Sequence, residues 1–115
     1  EPLSMAWALP PGGTLARRKL DGRVISLGLT PPRANVESTS LSLLLTHAAL
    51  TDTLIYTTRS QLLSPEGSKL VEIDVPELVT NRQAGLIYRK PGLLTPAARA
   101  VADMLIAECA TDPFN

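Results

Sequence analysis

Short apolar runs alternate with helical repeats along most of this chain. Met5-Ala6-Trp7-Ala8-Leu9 is apolar and stops at Pro10-Pro11-Gly12-Gly13, the pattern of a buried strand entering a turn. Thr14 then stands where an N-cap belongs, and Leu15, Leu20, Val24 and Leu27 follow on a helical repeat that Gly28 ends. Gly22 weakens that helix by roughly 1 kcal/mol relative to Ala. Pro31-Pro32 opens a connection, and Arg33 to Ser38 reads as a second strand. The hydroxyl trio Ser38-Thr39-Ser40 precedes Leu41, Leu44, Leu45 and Ala48, whose i, i+3, i+4, i+7 spacing predicts a helix with the hydroxyls at its N-terminus.

Thr53 to Thr57 is β-rich and predicts a third strand, followed by a short helix or turn around Arg59 to Leu63. Lys69 to Val75 alternates apolar and charged residues like a half-exposed strand, and Gly85 to Tyr88 reads as another, ending at a Pro91-Gly92 turn. Thr95-Pro96 supplies a cap and a first-turn proline for a last helix running to about Ala110, with Ala98, Val101, Ala102, Leu105 and Ile106 as its apolar face. The order of elements predicts an α/β domain with a mostly parallel sheet flanked by helices.

Composition narrows the function classes. The 115 residues are 44% hydrophobic with a formal charge of zero from eleven basic and eleven acidic side chains. That is one core-forming domain at most, not a disordered tail. A segment that bound nucleic acid by itself would be basic. The one cysteine, Cys109, permits no internal disulfide, which points to a reducing, cytoplasmic setting. No apolar run approaches the ~18 residues that span a bilayer. The opening, Glu1-Pro2-Leu3-Ser4, lacks the form of a signal peptide and reads as the interior of a longer protein.

Candidate chemistry is sparse. The trio Ser38, Thr39 and Ser40 marks a helix start, where unpaired amides and about half a positive charge favour carboxylates and phosphates. One of the three also serves as an ordinary N-cap. Pro10 to Thr14 places glycines ahead of a helix, but lacks the lysine and spacing of a phosphate-binding loop and fits a tight strand-to-helix turn. His47 sits mid-helix without metal-binding partners, and Cys109 reads as a small apolar filler. Arg17-Arg18-Lys19 reads as a solvated helix face. No histidine-supported nucleophile or carboxylate pair is evident, so no enzyme activity, cofactor or metal is expected.

Three stretches together resemble the effector-binding module of LysR-type transcriptional regulators. Trp7-Ala8-Leu9-Pro10-Pro11-Gly12 runs into a helix with Leu15, Arg17 and Arg18, which leaves through Gly28-Leu29-Thr30-Pro31-Pro32-Arg33. Val36-Glu37-Ser38-Thr39-Ser40-Leu41 leads to the leucine-rich helix and a strand closing on Arg59-Ser60. Gly85-Leu86-Ile87-Tyr88-Arg89-Lys90 precedes Leu94-Thr95-Pro96-Ala97-Ala98-Arg99-Ala100. The chain departs from the family pattern at Ala49-Leu50-Thr51-Asp52, where a glycine turn is usual. It departs again at Tyr56-Thr57-Thr58, where small apolar residues and a proline are usual. Both changes would narrow or polarise the cleft that the resemblance implies, so the ligand class is not carried over from relatives.

The resemblance implies a periplasmic-binding-protein-like lobe. Residues 5–84 would form the second lobe of the module, and 85–115 would return a strand and helix to a first lobe. The effector cleft would be lined by Ser38, Thr39 and Ser40. Strand ends facing the cleft would add Leu9, Pro10, Thr57 and Thr58. The expected ligand is a small anionic metabolite. DNA would be bound only by an N-terminal helix-turn-helix outside this segment. An apolar final helix, with Val101, Leu105 and Ile106 uncovered by the first lobe, implies self-association or packing onto the chain's own sheet. Two other readings remain open from sequence: a solute-binding lobe serving transport, and a ligand-free dimerisation module.

Overall fold

A computed structural model describes residues 4–90 and 92–111. The opening residues Glu1, Pro2 and Leu3, and the Pro91 of the expected turn, lie outside the described residues. The chain divides into two units, Glu1–Thr80 and Asn81–Asn115. In the first, β1 (Ala6–Leu9), α1 (Leu15–Ser26), β2 (Ala34–Glu37), α2 (Leu41–Leu50) and β3 (Thr53–Ile55) succeed one another. The strands form a parallel sheet in the order β2-β1-β3.

Local chemistry sets the helix limits. The Thr14 hydroxyl accepts from the Arg17 amide at 3.3 Å and so caps α1. At the other end Gly28 takes φ +74°, the left-handed turn that glycine adopts without a Cβ penalty. There the Leu29 amide donates to the Val24 carbonyl at 3.1 Å and the Gly28 amide to Ile25 at 2.9 Å. That pair of bonds is a Schellman stop. α2 begins with the Ser40 hydroxyl accepting from the Leu43 amide at 3.3 Å.

β1 is the central strand and both of its faces are covered. Trp7 and Leu9 pack with Leu20 and Val24 of α1, and Ala34, Leu54, Tyr56 and Leu78 close around them. Ala8 alternates to the opposite face and is fully buried. On that side α2 packs against β1 and β3 with Leu44, Leu45 and Ala48 buried. Where the register with β2 shifts between Trp7 and Ala8, the Asn35 side-chain oxygen accepts from the Trp7 amide at 3.0 Å. Beyond β3 the chain returns across α1. The Arg23 Nε donates to the Glu77 carbonyl at 2.6 Å, and the Tyr56 hydroxyl donates to the Leu78 carbonyl at 3.0 Å.

Several expected strands are shorter or missing. The second and third end at Glu37 and Ile55 rather than at Ser38 and Thr57. Lys69 to Val75 is not a strand. Its alternation matches a pleat, but a strand needs a neighbour for its ladder. Val71 and Ile73 stay exposed, and Glu72 is drawn into an ion pair with Arg59. The connecting loop includes a short 3-10 turn, Arg59–Leu63, where one was expected. Gly67 is buried in this loop, and a Cβ there would overlap the Gln61 carbonyl. Nothing in the local sequence signals that close approach.

In the second unit α3 spans Pro96–Ala110, with the Thr95 hydroxyl accepting from the Ala98 amide at 3.2 Å. Gly85 to Tyr88, expected as a strand, has no ladder partner among the described residues, and Ile87 is wholly exposed. Val101, Leu105 and Ile106 of α3 are exposed as well.

The burial pattern makes sharp contrasts. Leu9→Ala should lower stability by about 2–5 kcal/mol in urea unfolding, whereas Ile25→Ala, at a site 60% exposed, should stay within about 0.5 kcal/mol. Equal effects would contradict the assigned core. Ser40→Ala should cost about 1 kcal/mol through loss of the α2 cap. Gly67→Ala should cost about 1–3 kcal/mol through overpacking, and an unchanged denaturation midpoint would contradict the close approach described.

Candidate functional site

All three strands run in one direction, so their carboxyl ends share one edge of the sheet, together with the N-termini of α1 and α2. Strand β1 sends its connection over one face towards β2, and β3 arrives over the other. The order therefore reverses at β1/β3, the place where open α/β sheets form ligand crevices. Ile55 pairs with Ala8, and Glu37 with Leu9. Pro10, Ser38 and Thr57 accordingly leave the sheet as neighbours along this edge. The outer two stand about 10 Å apart, two strand spacings, the scale of a small metabolite.

The hydroxyl trio divides by role. The Ser38 amide donates to the Leu9 carbonyl at 3.3 Å, and its hydroxyl accepts from the Ser40 amide at 3.0 Å. Ser40 is the cap. Both hydroxyls accept from amides and so retain a proton to donate outward. Thr39 is exposed, and its hydroxyl has no bond within the described residues. The amides of Leu41 and Ser42, in the first turn of α2, likewise donate to no group among the described residues. This end of α2 thus presents hydroxyl and amide donors.

Pro10 is half-buried, as are Thr57 and Thr58. The Thr58 hydroxyl shares a hydrogen bond of 3.0 Å with Ser60. Leu9 differs in kind from its expected role. Its side chain is 0% exposed and belongs to the core against Leu20 and Val24, so it supports the edge from beneath and does not line it. The Pro11 carbonyl accepts from the Thr14 amide at 3.0 Å, and a Cβ at Gly12 or Gly13 would meet open space. The loop is the tight turn that its sequence suggests.

Two cations near this edge, Arg17 and Arg59, are already paired. Arg17, expected on a solvated face, is only 11% exposed at its side chain and pairs with Asp21 at 3.1 Å and Glu37 at 3.3 Å. The run of three cations concealed this: Asp21 lies one helical turn on, and Glu37 is distant in sequence. Beyond Thr58, Arg59 grips Glu72 through Nε and Nη2 at 2.9 Å and 2.7 Å. That hydrogen bonding, with the Glu72 charge, raises the Arg59 pKa above its ordinary value. Glu66 accepts from the Ser42 hydroxyl at 3.3 Å.

Two open, shallow concavities occur on the surface. One follows α2 from Ser40 to Thr51, with His47 in its wall. The other lies at the opposite, amino edge of the sheet, between Met5 and Pro31. Among the described residues no three His, Cys, Asp or Glu side chains gather as a metal site. No helix there is long and apolar enough to cross a membrane.

Comparison with known proteins places this arrangement in a family. No curated protein and no solved structure matches the chain. The sequence profile of the LysR substrate binding domain, however, matches residues 3–110, nearly the whole length. The parallel sheet flanked by helices fits the periplasmic-binding-protein-like fold of that domain. The chain belongs to the LysR substrate binding domain family, the effector-binding module of LysR-type transcriptional regulators.

Proposed function

We propose that this chain senses a small anionic metabolite at the carboxyl edge of its sheet, for a cytoplasmic LysR-type regulator whose DNA contacts are made by a helix-turn-helix elsewhere in the protein. The observation carrying this reading is the convergence of Ser38, Thr39 and Ser40, the unengaged Leu41 and Ser42 amides, and the strand exits at Pro10, Thr57 and Thr58. Donors at a helix N-terminus favour a carboxylate or phosphate, and the paired state of Arg17 and Arg59 leaves neutral donors to meet it. Residues 5–84 would form one lobe, with 85–115 returning to the other.

Effector would act by binding two arrangements of the regulator unequally. Self-association is part of the proposal, supported by the exposed Val101, Leu105 and Ile106 of α3. The module works without catalysis. Its one histidine, His47, lies in α2 and makes no side-chain hydrogen bond or ion pair with an acid among the described residues.

A thermal-shift screen of carboxylic acids against the regulator, followed by titration of a hit, tests the proposal. Thr39→Ala and Ser38→Ala should each weaken binding about tenfold, the loss of one hydrogen bond to a charged group. Unchanged affinity in both variants would remove the trio from the site.

A further inference from the structure

We propose that Arg17 is a positioning residue that clasps the turn after β1 to the end of β2 and so spaces the two sets of effector contacts. The role in spacing rests on the effector reading above; the clasp itself rests on geometry. Nη1 donates to the Pro10 carbonyl and to Glu37 Oε1, both at 3.3 Å. Nη2 donates to the Pro32 carbonyl at 3.3 Å, and Nε faces both carboxylate oxygens of Asp21 at 3.1 Å. One guanidinium therefore joins the β1–α1 turn, the connection into β2, the end of β2 and its own helix.

Position gives the clasp its meaning. The bond from the Ser38 amide to the Leu9 carbonyl, 3.3 Å, lies at the exit of β1 and β2. Pro10 directly follows Leu9, and Glu37 directly precedes Ser38. Arg17 thus holds the residues on either side of that bond. The planar fork reaches acceptors in several directions at once, which the point charge of a lysine does not. Two carboxylates already surround the single cation, so Arg17 is committed to holding the edge and is not an open receptor for an anion.

Amide hydrogen exchange on the full 115-residue chain tests the clasp. Arg17→Lys should accelerate exchange at Ser38 at least fivefold more than at Val24 and Leu45, which lie in the helices. Glu37→Ala, at a half-exposed position, should act in the same direction while leaving the cation in place. Uniform acceleration at all three amides, or none at Ser38, would overturn the proposal.

Inorganic phosphate, titrated as a minimal anion and followed at the Leu41 and Ser42 amides, separates this result from the effector reading. Arg17→Lys should raise the phosphate dissociation constant threefold or more. An unchanged constant beside a released Ser38 amide would overturn the spacing role. Wild-type amides that ignore phosphate would count against the anion site, and the exchange data would still decide the clasp.

Discussion

Burial of β1 on both faces is the constraint from which the rest of the first unit follows. Trp7 and Leu9 on one side and Ala8 on the other are all removed from water, at a gain of about 1.5–3 kcal/mol for a fully buried large apolar side chain. Two covers are required, and α1 and α2 supply them from opposite sides. Parallel pairing on both flanks of β1 then demands crossover connections, and those crossovers return each helix N-terminus to the same edge of the sheet. The candidate site is thus a product of how the core is covered. A hydroxyl-rich helix start reaches the strand exits as α2 buries Leu44 and Leu45 against the sheet.

Much of this framework was legible in the sequence. Thr14, the trio Ser38 to Ser40, and Thr95 announced the three helices, and the side-chain oxygens of Thr14, Ser40 and Thr95 cap them. Those signals are local, and local chemistry satisfies them. The expected strands at Lys69 to Val75 and Gly85 to Tyr88 failed for the converse reason. Alternation and β-propensity describe one strand, whereas a ladder takes two, and the sequence does not name the second. Gly67 was silent because its need is a close approach to the Gln61 backbone. Arg17 was misread because a run of like charges looks solvated until its acceptors, Asp21 one turn on and the distant Glu37, come into view.

The site itself was legible only in part. The trio stood out because hydroxyls at a helix start sit beside unpaired amides and the helix dipole, and Ser40 proved to be the cap as one of the three had to be. Leu9 illustrates the limit of reading strand ends from sequence. A residue at the carboxyl end of a central strand faces either the cleft or the core, and the register sends this one inward. In the proposed reading, recognition at the edge would fall to amides and hydroxyls, because Arg17 and Arg59 are held by Asp21, Glu37 and Glu72. Such a site would discriminate through hydrogen-bond geometry more than through net charge, in keeping with the neutral balance of the chain.

The central claim is that effector meets this domain at the carboxyl edge of its sheet. A crystal structure of the regulator with an acid from the screen bound tests it most directly. The account predicts an anionic group of the ligand within hydrogen-bond distance of the Thr39 hydroxyl and the Leu41 or Ser42 amide, with Pro10 and Thr57 along its flank. Ligand seated instead at the opposite edge, between Met5 and Pro31, would contradict it.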